Sequence, residues 1–220
     1  MRYYLTLHLH SDTTFGRGEG VAGLVDVEIE HDAYGCPYIG GRSIKGLLVE
    51  EWANLRFALG ETDDWDDIAT VLFGKIGATG DGDAQMRIGA ATLPPDLCAA
   101  IRKDALPPHQ IIGSITTVRR QTAINTETGA PEEGSLRTMR VLLRETSLIA
   151  TLDFDQTLKD KERTLGLLSA CVLAVRRGGT GRNRGRGRLS MLLHATEPID
   201  YRDATFTLAC FEAFQKEVRR

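Results

Sequence analysis

The chain has 220 residues, 42% of them hydrophobic, and a formal net charge of -3. That length suits one domain, and that apolar fraction builds an ordinary core without disulfides or a structural metal. No apolar run reaches the ~18 residues of a membrane span, and the amino terminus lacks a signal-peptide apolar stretch, so a soluble, cytoplasmic protein is expected. Cys36, Cys98, Cys171 and Cys210 lie far apart with no metal-ligand spacing, which predicts reduced thiols and no structural zinc.

Along the chain, residues 3–10 alternate, with Leu5, Leu7 and Leu9 on one face, and predict a half-buried strand that also carries His8 and His10. After a Gly-containing loop, residues 24–30 alternate again. Val25, Val27 and Ile29 face one way; Asp26, Glu28 and Glu30 face the other, as a solvated outer face. Ser43 is placed to cap a helix reaching Leu59, with Ile44, Leu47, Leu48, Trp52 and Leu55 at helical spacing. The segment 61–67, with five acids and no base, leads into a short apolar helix over 68–73 and a Gly/Asp-rich loop.

Further on, residues 86–93 predict a strand, and prolines at 94, 95, 107 and 108 bracket a short helix. Residues 111–118 predict another strand, and 119–138, rich in charge, threonine and glycine, an exposed hairpin or arm. A long strand is expected over 138–154, a helix over 158–176, a strand after the Arg/Gly run and a terminal helix over 203–220. Without insertions at about 11–40, 61–84 and 94–138, the order is βαββαβ. That predicts an α+β fold of the ferredoxin-like, RRM-like kind in a single domain over 1–220.

Two constellations carry chemistry. The run RRGGTGRNRGRGR at 176–188 holds six arginines, no acid and five glycines. Glycines bring backbone N–H groups close to a phosphate chain, and Arg182, Arg184, Arg186 and Arg188 add forked donors. Both ends are anchored by periodic elements, which favours a phosphate-binding loop over a free linker. The second constellation is GCPYIGGRSIKG at 35–46. Its Gly-Gly pair opens a helix whose positive end favours an anion, with Arg42, Ser43 and Lys45 beside it. A solvated capped helix explains this segment equally well, and the lack of GxxxxGK[ST] spacing disfavours a nucleotide-triphosphate loop. The residues by themselves indicate a binder of RNA or DNA phosphates and name no reaction.

These two segments resemble the glycine-rich loop and the amino-terminal Ser-x-Lys-Gly signature of RAMP proteins, and 119–138 resembles the thumb of type III CRISPR backbone subunits. The resemblance implies a ferredoxin-like palm with copies stacked along a CRISPR guide RNA, beside other effector subunits and a target RNA. It assigns guide contacts to Arg42, Ser43, Lys45 and the Arg/Gly loop, with Arg119, Arg120, Arg137 and Arg140 flanking the thumb. It also places Asp26, with Asp32 as a second acid, where the catalytic backbone subunit has its aspartate. The implied reaction is target-RNA cleavage by 2′-hydroxyl attack with a divalent metal, Mg2+ by chemistry, whose ligands the sequence does not give. A non-catalytic structural or capping subunit is the alternative. A guide-processing endoribonuclease, with His31 as its nearby histidine, is a third reading. Each of the nucleic-acid readings requires the two glycine-bearing segments to converge into one basic groove.

Overall fold

The computed structural model describes residues 1–60, 63–75 and 84–219. Among these described residues there are eight strands: β1 (Arg2–Leu9), β2 (Tyr38–Ile39), β3 (Met86–Ile88), β4 (Ala91–Thr92), β5 (Thr116–Gln121), β6 (Arg137–Leu142), β7 (Ser147–Phe154) and β8 (Leu189–His194). Six helices join them: α1 (Gly41–Leu59), α2 (Asp63–Phe73), α3 (Pro95–Asp104), α4 (Pro108–Ile115), α5 (Lys161–Ala174) and α6 (Thr205–Val218). No helix among the described residues is long and apolar enough to cross a membrane.

The main sheet runs β8-β1-β7-β4-β2, with β3 also on β7, and its pairings are antiparallel. Leu5, Leu7 and Leu9 point into a core shared with Ile44 and Leu48 of α1 and Leu165 and Leu168 of α5. Counting β3 and β4 as one interrupted strand, β1-α1-β3/β4-β7-α5-β8 is the expected ferredoxin-like βαββαβ palm. Helix α6 packs along α5, so α5 is buried on nearly every side instead of along one stripe. A second sheet of β5 and β6 forms the root of the thumb, while the hairpin tip stays exposed.

Several expectations are corrected. Residues 24–30 form no regular strand; they lie extended along β6 through a parallel Val27–Met139 bridge. Ser43 is not the cap of α1: Gly40 is, and Ser43 sits in the first turn. Residues 108–115 are helical because Pro108 fixes the first turn and Ile111 and Ile115 fall four apart, on one face. The apolar run 86–93 breaks into two short strands at Gly89 and Ala90. The single strand expected over 138–154 is two strands in different sheets, parted by a turn with Glu145 at φ 64°. The helix expected at 68–73 begins within the acidic run, and the glycine-rich stretch after it lies largely outside the described residues.

Candidate nucleic-acid interface

The Arg/Gly run is a folded loop with fixed walls. Arg177 and Arg188 bridge its base, the Gly178 N–H donates to the Gly187 carbonyl at 2.9 Å, and Arg182–Arg184 make one 3-10 turn. Gly179 and Gly187 have φ of 78° and 71°. At each, a Cβ would also collide with backbone, that of Thr14 and of Gly178 respectively, so no other residue fits. Segment 11–16 runs beneath the loop: Thr14 accepts the Thr180 N–H through its carbonyl and donates its hydroxyl to the Arg140 carbonyl at 2.9 Å.

The loop meets α1. Gly178 is buried against Phe15 and Leu47, and a methyl group there would come within 3.0 Å of Leu47 Cδ1. Arg182 Nη1 donates to Glu50 Oε2 at 2.7 Å, fixing the loop one turn further along the helix. At 100° per residue, Ser43, Gly46 and Glu50 share one stripe of α1, Gly46 about 40° to one side of Glu50 and Ser43 about 20° to the other, on the face where Arg182 of the loop reaches Glu50. Gly46 is exposed with open space around it. Lys45 falls about 140° from Glu50, on the flank where Gly41 packs on β3, so only part of the predicted signature faces the loop. The helix end carries an anion of the protein's own: Glu30 Oε2 lies 3.1 Å from the position of a Gly40 Cβ. That carboxylate competes for the positive end of the dipole.

The loop arginines divide into two groups. Arg176, Arg177, Arg184 and Arg188 are exposed and carry no ion pair among the described residues. Arg182 holds Glu50, and Arg186 donates to Met139 Sδ at 2.9 Å, which ties the loop to the thumb root.

At that root, Asp26 lies against β6. Its N–H donates to the Thr138 carbonyl, while the Thr138 N–H and hydroxyl donate to Asp26 Oδ2 at 2.6 and 3.0 Å. These donors hold the carboxyl below the usual carboxylate range. Arg120 pairs with Thr138 across the hairpin, so an exposed guanidinium and the carboxylate line one open cavity of about 770 Å³ with Gly20, Val21 and Leu136. Arg137 is exposed nearby. Asp32, in contrast, is turned inward: its Oδ1 accepts the N–H groups of Tyr34 and Cys36 at 2.9 Å each, an Asx turn that braces the approach to β2. His31 is exposed and bonds only its neighbour's carbonyl.

A family profile described as the RAMP superfamily matches residues 6–190, which include the loop, α1 and the thumb root. The chain belongs to the RAMP superfamily. This RAMP chain superposes on a chain of the type III-B Cmr-beta bound to cognate target RNA, seen by cryo-EM, with a TM-score of 0.62 at 12% identity, covering 87% of this chain and 96% of that one. The apo state of the type III-B Cmr-beta gives a TM-score of 0.62 at 13% identity over 87% and 96%. A chain of a type IV-B CRISPR complex gives 0.57 at 14% identity over 91% and 93%. At these identities the likeness is one of fold. No curated protein matches the chain.

Two residues of this RAMP chain escaped sequence reasoning. Asp12 is only 11% exposed and bonds Arg119 at 2.6 Å, with Arg144 at 3.5 Å. Burial pushes its carboxyl up, but the Arg119 and Arg144 hydrogen bonds outweigh this and hold it low. Glu28, expected on a solvated face, is buried and bonds Arg140 at 2.7 Å. Arg140 therefore anchors the 24–30 segment to the thumb root instead of presenting a free cation, and Arg119 is committed to Asp12. Nothing local in the sequence signals either pairing.

Proposed function

We propose that this RAMP protein is a guide-RNA-binding backbone subunit of a type III CRISPR effector complex, stacking beside further copies of itself, that also cleaves target RNA at Asp26. The observation that carries the binding half is the seating of the Arg/Gly loop on α1 through Gly178 on Leu47 and Arg182 on Glu50, which brings the 3-10 turn that ends at Arg184 to the helix bearing Ser43 and Gly46. The fold relatives, one of them a type III-B Cmr-beta bound to target RNA, support the same reading. Arg42, Arg120 and Arg137, all exposed, belong to it as further backbone contacts, whereas Lys45 stands on the other flank of α1.

The cleavage half rests on Asp26 and Arg120 in one cavity. A carboxylate held low is a weak base, so Asp26 suits orienting a 2′-hydroxyl or holding a cation better than removing the proton. Among the described residues no three acid, histidine or cysteine side chains stand close enough to hold an ion by themselves. Asp26 Oδ1 has no protein donor there, and Mg2+ is commonly held by one or two carboxylates together with substrate phosphates and water, so the site fits it. When bound, such an ion supplies positive charge to the phosphate under attack. The 2′-oxygen would bond phosphorus as the P–O5′ bond breaks, its proton leaving to solvent and water protonating O5′. Arg120 would steady the phosphate oxygens. The test is Asp26→Ala in the assembled complex with Mg2+: target cleavage should vanish while guide binding is unchanged. Undiminished cleavage would leave the non-catalytic structural reading instead.

A further inference from the structure

The face of the palm sheet turned away from α1 and α5 carries a second polar site. Cross-strand register puts His8 opposite Ser190, and His10 falls opposite Arg188, in adjacent rows on that face. His8 Nδ1 and Ser147 Oγ are 3.0 Å apart, His10 Nε2 and Ser190 Oγ 2.9 Å, and the two imidazole rings 5.0 Å between centroids. The 195–204 segment covers the other half of this face, where Thr6 Oγ1 donates to the Tyr201 carbonyl, and it delivers Arg202 Nη2 to 3.2 Å from His8 Nε2.

Two surface cavities meet here. One is lined by His8, His10, Arg202 and Ser190; the other by His10, Ser190, Arg176, Arg177 and Arg188. They share His10, Ser190 and Leu192, so the floor is continuous from the base of the Arg/Gly loop, over the outer edge of β8, whose first N–H, that of Leu189, donates to the Arg176 carbonyl, onto the sheet. Among the described residues the only acid lining either is Glu145, which accepts from Arg202 at 3.3 Å with both side chains about two-thirds exposed. That long surface contact is easily exchanged for a phosphate oxygen. Glu145 stands there on a backbone with φ 64°, a conformation that non-glycine residues seldom adopt and that often marks a site.

We propose that single-stranded RNA held by the Arg/Gly loop continues over the β8 edge into this pocket, where a phosphodiester lies between Arg202 and His10. The proposal rests on the RNA-binding reading and extends it to the opposite face of the palm. Arg176, Arg177 and Arg188 line the route, and the hydroxyls of Ser147 and Ser190 brace the histidines from below.

The test is photo-cross-linking of the full chain to a single-stranded RNA substituted with 4-thiouridine, the attached peptides being mapped by mass spectrometry. Adducts are expected on the Arg/Gly-loop peptide and also on peptides bearing His10 and Tyr201. Arg202→Gln should lower the His10 and Tyr201 adducts about tenfold, as loss of a charge-assisted hydrogen bond implies, and leave the loop adducts as an internal control of folding. Adducts on the loop alone, or pocket adducts indifferent to Arg202→Gln, would overturn the sheet-face path. Adducts on neither would overturn the RNA-binding reading with it.

Discussion

Arg140 Nε donates to Glu28 Oε1 at 2.7 Å, with the two side chains 11% and 3% exposed. Arg140 Nη1 also reaches Thr116 Oγ1 at 3.2 Å. One pair thus links the 24–30 segment, β6 and β5, and it positions the extended chain on which Asp26 stands.

Breaking such a pair from one side strands a buried charge. Arg140→Ala is therefore expected to destabilise the fold by ~3–5 kcal/mol, whereas Glu28→Leu with Arg140→Met should come within ~1–2 kcal/mol of the parent. Urea unfolding of the three proteins measures this. Arg140→Ala with unchanged stability and a shallower salt dependence of RNA binding would return Arg140 to the RNA surface.

Gly46 sits inside α1, exposed, with nothing near enough to meet an added methyl group. On the protein's own account, Gly46→Ala should stabilise by ~0.5–1 kcal/mol through helix propensity and lowered unfolded-state entropy. An RNA backbone pressed on the Ser43–Gly46 stripe would meet that methyl group, so affinity should fall while the melting temperature rises. Parallel thermal melts and RNA titrations check both signs. A rise in stability with intact affinity would mean that the strand does not cross this stripe.

Much of the palm was legible because its signals are local. Leu5, Leu7 and Leu9 alternate, Ile44, Leu48 and Trp52 recur at helical spacing, and the helix and strand flanking the Arg/Gly run anchor it. Illegible features have causes far away in the chain. Glu28 reads as solvated until Arg140, 112 residues on, arrives beside it. Asp12 meets Arg119 across 107 residues. Ile111, Ile112 and Ile115 mimic a strand, and only Pro108 hints at the helix. The turn at Glu145 has no glycine or proline to announce it. In the candidate site, the loop's glycines and the exposed arginines were readable, but not which arginines are already paired, nor that Lys45 lies on the far flank of α1.

Stability should fall in two stages on acidification. His8 and His194 are held below 6.5, burial being the largest cause for each. As pH drops through 6.5 the unfolded chain takes up protons that the folded chain resists, so stability declines until the folded values are passed. Asp26 and Asp12 are held below 3.8, so their contribution is complete above that value and is lost as pH falls through the folded ones. Urea unfolding at about pH 7.5 and about pH 5.5 should show the upper stage, and His194→Gln should flatten it. An equal decline in the variant would assign the stage elsewhere.

Whether the loop on α1 grips a sugar–phosphate strand is tested most directly by the salt dependence of single-stranded RNA binding. Arg184→Gln with Arg188→Gln removes two of the four exposed loop cations that carry no ion pair among the described residues. The slope of log K against log salt should lessen by about one for each lost phosphate contact, and affinity should fall for every RNA sequence alike. A slope identical to that of the parent protein would contradict the account.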